Sequence, residues 1–328
     1  MSRGAEAQVA VPPSLDAPTP GPQSGIKGAP PGWLVWTALS IVYLVWGSTY
    51  LAIRVTVETL PPLLTAGARF LVAGGIAYLF LWWKGGRVRV RVTGREALAS
   101  TAVGTALLFG GNGMVTLAER SVPSAVTALI IGSVPLWVVL LRAVTGEKIG
   151  RTTLVGVVVG FVGVSILVLP GGGKGGASLA STLLIVAASV SWASGSFFSR
   201  KLPLPKDPFV STAVQMLGGG VVLVGAAFLH GEMYGLDVGS FSGASLLAFV
   251  YLVVAGSWLA FTAYVWLLQN APISKVATYA YVNPVVAIFL GWLILNESIT
   301  STIILGAAVI VTSVAIIVRR EESVPSES

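Results

Sequence analysis

Cysteine is absent from the 328 residues, and histidine occurs once, as His230. Disulfides, thiolate metal sites and multi-histidine metal sites are therefore excluded, and no cofactor is expected. Charge is scarce as well. Only 10% of residues are Asp, Glu, Lys or Arg, against about 25% in a soluble domain. No Asp or Glu falls in the middle of a long apolar run. Proton-coupled carriers often place a carboxylate there, because burial raises its pKa and lets it cycle. A simple carboxylate switch is therefore not expected. Coupling would fall to an edge residue such as Glu119, or the protein would be a uniporter.

Apolar side chains are what the chain has in quantity. They make up 55% of it, and the mean hydropathy is +0.86. Residues 1–32 are rich in Pro, Gly, Ala and Ser and are expected to form a disordered tail. They lack the short apolar core of a signal peptide. Ten apolar runs follow, at 33–53, 62–83, 97–117, 123–142, 152–169, 179–199, 208–229, 244–268, 272–295 and 301–318. Each approaches the ~20 residues that cross a bilayer as a helix. Strands of a barrel would be about ten residues long with alternating polarity. The fold class is therefore all-α integral membrane with ten transmembrane helices.

The placement of Lys and Arg sets the orientation. With the N-terminus in the cytoplasm, fifteen fall in inside segments: Arg3, Lys27, Lys84, Arg87, Arg89, Arg91, Arg95, Arg142, Lys148, Arg151, Arg200, Lys201, Lys206, Arg319 and Arg320. Three fall outside: Arg54, Arg120 and Lys174. The bias predicts cytoplasmic termini in a bacterial-type inner membrane. It also removes nucleic acid as a partner, because the basic residues are spread over several short loops. No G-x-x-x-x-G-K-[ST] phosphate loop is present. The run Gly171-Gly172-Gly173-Lys174-Gly175-Gly176 is glycine-rich, but it falls outside.

The chain repeats itself. Trp46-Gly47-Ser48-Thr49 with Arg54 is echoed by Trp192-Ala193-Ser194-Gly195 with Arg200. Pro62 and Arg69 are echoed by Pro208 and Gln215, and Gly74-Gly75 by Gly218-Gly219-Gly220. Val134-Pro135 and Glu147 are echoed by Asn283-Pro284 and Glu297, and Gly156 by Gly306. The offset is 144 to 146 residues at Gly74-Gly75 and stays between 146 and 150 elsewhere. The first unit is expected at 33–170, the second at 179–318, with a linker at 171–178 and a tail at 319–328. Five helices per unit is odd, so the two units are expected to enter the membrane from opposite sides as inverted repeats.

These residues also resemble a known family. The run Gly67-Ala68-Arg69-Phe70, Gly111-Asn112-Gly113 with Ala118-Glu119, Val122-Pro123-Ser124, Val134-Pro135-Leu136-Trp137, and Tyr279-Ala280-Tyr281-Val282-Asn283-Pro284 with Asn296-Glu297 resemble the EamA family. That family belongs to the drug/metabolite transporter (DMT) superfamily, and the likeness is to its YedA/PecM-like permeases. The resemblance implies an exporter of small metabolites with a cavity between the halves. Lys275 departs from the pattern, which has a small or apolar residue there.

The candidate substrate-binding residues are Trp46, Ser48, Arg69, Asn112, Trp192, Tyr279, Tyr281 and Asn283. Arg69 lies seven residues past Pro62, about 10 Å into its helix. A charge at that depth faces a cavity or a partner. It either contacts an anionic group of a substrate or holds helix-end carbonyls or Glu119. Glu119 is either a coupling residue or a solvated neighbour of Arg120. Trp46 and Trp192 are cavity walls or interface anchors. Asn112, among glycines, is a polar contact or a packing device. Tyr279, Tyr281 and Asn283 bind substrate or repair the helix before Pro284. Lys275 is expected to snorkel. Glu147 and Glu297 are expected to favour the start of the helix that follows each.

The leading functional expectation is a secondary transporter exporting amino acids, aromatic metabolites or drug-like amphiphiles by alternating access, and not an enzyme. One chain is expected to suffice for a cavity, and its partners are the solute and membrane lipids. Two rivals remain open. An integral-membrane enzyme on lipid-linked substrates would have His230, Glu232 and Asp237 as its only polar cluster. A nucleotide-sugar-type carrier would have Arg69 and Lys275 as its basic residues.

Overall fold

The computed structural model describes residues 30–168, 178–271, 275–276 and 278–322. Most of the tail at 1–32, nearly all of the linker at 171–178 and the end of the tail at 319–328 lie outside these residues. Ten long helices account for the described chain. They are α1 (Gly32–Thr56), α2 (Pro62–Arg89), α3 (Gly94–Ala118), α4 (Ser124–Val144), α5 (Arg151–Val168), α6 (Leu179–Ser199), α7 (Pro208–Leu229), α8 (Gly243–Leu268), α9 (Tyr279–Leu295) and α10 (Ser301–Glu322). The first eight are long and apolar enough to cross a membrane. The apolar stretches of α9 and α10 are shorter. No strand occurs among the described residues. The protein is thus an all-helical membrane protein of ten helices, as the hydropathy pattern predicts.

Local sequence explains where the helices begin. Pro62 and Pro208 open α2 and α7, where a missing N–H costs nothing. Asp207 accepts hydrogen bonds from the amides of Phe209 and Val210. Thr93 and Glu96 form a reciprocal capping box at α3. The outward faces carry exposed Leu79, Val158, Leu247 and Phe289, which suits lipid as the surrounding solvent. Boundaries depart from the hydropathy runs by more than five residues in two places. The second helix runs on beyond residue 83 to Arg89, bending at Gly86, whose φ is +66°. The ninth run was expected from 272, whereas α9 begins at Tyr279. Residues 272–274 and 277 lie outside the described set.

Packing is organised between the halves. The second helix of each half, α2 and α7, lie together, as do the fifth helices, α5 and α10. The third helix of each half packs on the first helix of the other: α3 on α6, and α8 on α1. At the α3–α7 crossing the backbones nearly touch. A Cβ on Gly219 would sit 2.7 Å from the Gly104 carbonyl oxygen. A Cβ on Gly104 would fall within the radius of the Gln215 carbonyl oxygen.

Four interruptions of regular helix surround the centre. Thr105–Gly113 in α3 and Leu252–Leu259 in α8 are wound as π-helix. These stretches begin 147 residues apart, within the offset of the repeat. Helix α4 breaks at Gly132-Ser133 before Pro135, and α9 carries Pro284 inside it. A Cβ on Gly132 would lie 3.0 Å from the Pro284 ring, so the two helices cross at these interruptions. Such irregular backbone is tolerated at membrane depth where it is buried in protein or lines a cavity.

Candidate functional site

A cavity of about 130 Å³ lies where the interruptions meet. Helix α1 presents Trp46, Thr49, Tyr50 and Ile53 to it, the spacing of one helical face. Arg69 and Phe70 come from α2, and Leu108, Gly111, Asn112 and Val115 from α3. Trp192 enters from α6, Gly256 and Phe261 from α8, and Tyr279, Ala280, Asn283 and Pro284 from α9. Both halves therefore build one chamber.

Arg69 is its main charged group. It is 5% exposed. Its Nε donates to Ser257 Oγ at 2.7 Å, and its guanidinium carbon stands 4.8 Å above the Phe70 ring. Among the described residues no carboxylate pairs with it. The Arg69–Glu119 pair considered from the sequence is not formed, because Glu119 sits at the far end of α3. Gly256 makes room for the guanidinium; a Cβ there would lie 3.1 Å from Nη2.

The two tryptophans are placed alike. Trp46 Nε1 donates to the Gly256 carbonyl at 3.2 Å, on the π-helical part of α8. Its ring is wedged among Phe261, Tyr264 and Tyr279, with centroids 5.7, 5.0 and 5.3 Å away. Trp192 lies on the π-helical part of α3, where a Cβ on Gly111 would be 2.6 Å from its ring. Each tryptophan thus rests on the third helix of the opposite half. The side-chain oxygens of Asn112 and Asn283 are buried without a hydrogen-bond partner among the described residues. The chamber therefore offers one cation, two amides and aromatic walls.

Two named candidates stand elsewhere. Ser48 donates to the Val45 carbonyl and is 2.5 Å from Tyr251 Oη, off the cavity face of α1. Tyr281 packs against the core shared by α4, α5 and α10. Thr49, read from the sequence as a functional part of the Trp46 motif, lines the cavity, and so do Tyr50 and Phe70, which the sequence reading does not single out. The helical spacing from Trp46 and the position beside Arg69 were the signals for them.

One end of the chamber, the end bearing the α3–α4 turn, is sealed. Ala52, Ile53, Val57, Val115, Ala188 and Leu252 form a buried cluster there, drawn from α1, the turn after it, α3, α6 and α8. Above it, Arg54 donates to the Glu119 carbonyl. Glu297 accepts from the backbone N–H of Ser124 at 2.9 Å and of Ala125 at 3.2 Å. Its role differs from the sequence expectation: it caps α4, across the repeat interface, not the helix that follows it. Asn296, at φ +53°, turns the chain so that the carboxylate points back. Gly291 leaves the space it occupies. Glu147 instead pairs with Arg142 at 2.6 Å. Lys275 lies 5.1 Å above the Trp36 ring.

The loop cluster is structural in its geometry. Glu232 accepts from the Leu63 and Leu64 amides at 3.1 and 2.8 Å, capping α2. Asp237 caps a short turn, and His230 Nδ1 stands 3.6 Å from Glu232. Glu232→Ala is expected to cost about 1–2 kcal/mol through the lost cap. Thermal unfolding in detergent should show a lower Tm, with unchanged transport by the protein that remains folded.

A ten-helix membrane protein with a chamber shared by two similar halves has the build of a carrier. The profile of the EamA-like transporter family matches the chain twice, at residues 33–169 and 179–319. The chain belongs to this family. It is 38% identical over 281 residues to the inner membrane transporter YedA of Escherichia coli K12, covering 85% of this chain and 89% of that one. The transporter YvbV of Bacillus subtilis 168 is 27% identical over 289 residues, covering 86% and 91%. A protein of E. coli K12 described as "Probable amino-acid metabolite efflux pump" is 24% identical over 297 residues, covering 84% and 92%. A solved crystal structure superposes with a TM-score of 0.60 at 21% identity, covering 87% of this chain and 96% of the other. That last likeness concerns the fold alone.

Proposed function

We propose that the protein exports small organic solutes bearing a carboxylate, amino acids and aromatic metabolites among them, from the cytoplasm by alternating access. The observation that carries this is Arg69: a cation buried in the chamber with no carboxylate of the described residues paired with it. A buried charge needs a counter-charge, and a solute can bring one. The aromatic rings of Trp46, Trp192 and Tyr279 suit the apolar body of such a solute. The unpartnered side-chain oxygens of Asn112 and Asn283 suit a hydrogen-bond donor on it, such as an amino group. The similarity to a described amino-acid metabolite efflux pump points the same way.

The two halves act as inverted repeats, with boundaries near 33–170 and 179–318. The reciprocal packing of each third helix on the opposite first helix supports this. Both termini face the cytoplasm, so the sealed end with Glu119 and Glu297 faces outward. One chain suffices for transport. No catalytic step is involved.

Inside-out vesicles expose the cytoplasmic face and test the reading directly. Labelled amino acids, aromatic carboxylates and neutral amphiphiles are offered in parallel. Saturable uptake of carboxylates is expected, with mutual competition. Gly111→Leu should block it, since even a Cβ there collides with Trp192. Uptake of neutral amphiphiles alone would refute the assignment of substrate class; uptake of nothing would refute transport of these solutes.

A further inference from the structure

Among the described residues, Glu119 is the one ionisable side chain with no exposure at all. It is 0% exposed, and neither carboxylate oxygen has a hydrogen-bond partner among the described residues. It sits in the turn between α3 and α4, beneath the outer closure. A hollow of about 190 Å³ lined by Arg54, Glu58, Ser121 and Glu297 opens above it. Two carboxyl groups thus share the closure in different circumstances. Glu297 receives amide hydrogen bonds and the dipole of α4, which stabilise its charge. Glu119 receives nothing at its carboxyl.

We propose that Glu119 is a proton-binding site that locks the outer closure. With a proton on Glu119, Glu297 stays on the start of α4 and Arg54 stays on the Glu119 carbonyl. Ionisation of Glu119 repels Glu297 from the start of α4, draws the Arg54 guanidinium from the carbonyl towards the new carboxylate, and admits water from outside. On closing, the proton comes from the outside water to a carboxylate oxygen of Glu119. On opening it returns there, so no net proton crosses the membrane. The proposal rests on the orientation and alternating access described above.

Charged and titratable groups approach Glu119 from α1, from its own turn and from the α9–α10 turn. Tyr50 and Arg54 lie on α1, Glu58 follows it, and Arg120 is adjacent in the chain. Glu297 approaches from the turn before α10. The facing helix α6 has no titratable residue, and neither does α4 in its first half. Burial pushes the Glu119 carboxyl well above the ordinary carboxylate range, the Glu297 charge pushes it further, and Arg54 opposes. The sign follows by linkage. The closed state holds the proton more tightly than the open, hydrated state. Closure is therefore favoured as outside pH falls, and opening as it rises.

The absence of native cysteine makes the test clean. Val57→Cys places a single thiol in the outer seal, at a site 5% exposed in the closed form. Its labelling by a membrane-impermeant maleimide is measured in right-side-out vesicles from pH 5 to 9. Each rate is divided by that of the same protein unfolded in detergent, which removes the titration of the thiol itself. The normalised rate should rise by up to about tenfold per pH unit where one proton is coupled. Adding Glu119→Gln should hold it low at every pH. Adding Glu297→Gln should hold it high. A flat profile with native Glu119 overturns the proposal, and so does a Glu119→Gln profile that still follows pH. The readout needs no substrate: loss of transport with the labelling pattern intact would refute the exporter reading and leave the lock standing.

Discussion

Arg69→Met is expected to weaken the apparent affinity for exported carboxylates by about 10–100-fold while leaving the protein as stable as before, or more stable. The two halves of this outcome have separate causes. In the resting chamber the guanidinium is desolvated and has one hydroxyl partner. Replacing an unpaired buried charge with an apolar chain of similar length removes a desolvation cost, so Tm should hold or rise. The bound solute loses a charge-assisted contact worth about 1.5–3 kcal/mol, or about 10–100-fold in apparent affinity. Arg69→Lys keeps the charge but not the planar fork, and should fall between. Affinity comes from concentration-dependent uptake, and stability from thermal unfolding. A lower Tm with unchanged affinity would make Arg69 a structural residue and remove the ground for an anionic substrate.

Gly104→Val should have the largest effect on folding of any single change considered. At this crossing α3 and α7 touch backbone to backbone, so no flexible side chain can give way. Added atoms must push two helices apart and disturb the chamber beyond them. Overpacking of a core costs about 1–3 kcal/mol, and a rigid backbone contact lies at the high end. The expected result is loss of the monodisperse species in size-exclusion chromatography. Gly75→Val is the control, because that glycine has open space around its Cβ. A well-folded Gly104→Val protein would mean that the two helices can separate without penalty.

Helix number was legible because lipid imposes a length on every crossing and helices are the open-chain answer. The repeat offset was legible because paired glycines and prolines mark the same crossings in both halves. The site was legible in part. Arg69, Trp46 and Trp192 stand out because charge and large amphipathic rings are rare at that depth. Ser48 stands off the chamber although it lies inside the same motif, because a helix shows Trp46, Thr49 and Tyr50 to one side and Ser48 to another. The destination of Glu297 was hidden for another reason. It reaches α4, over 170 residues earlier in the chain, and no local pattern encodes such a contact. The burial of Glu119 was hidden likewise, since a residue in a turn looks solvated until α1 and the α9–α10 turn are laid over it.

The paired π-helical stretches act as phase-setters for the chamber wall. A π turn is an α-helix that has taken in one residue more than its register allows. At Thr105–Gly113 and at Leu252–Leu259 each such turn meets a tryptophan from the opposite half. Deleting one residue from either stretch would rotate every later side chain of that helix by about 100° around its axis, so the two halves stay in phase only while both keep the extra residue.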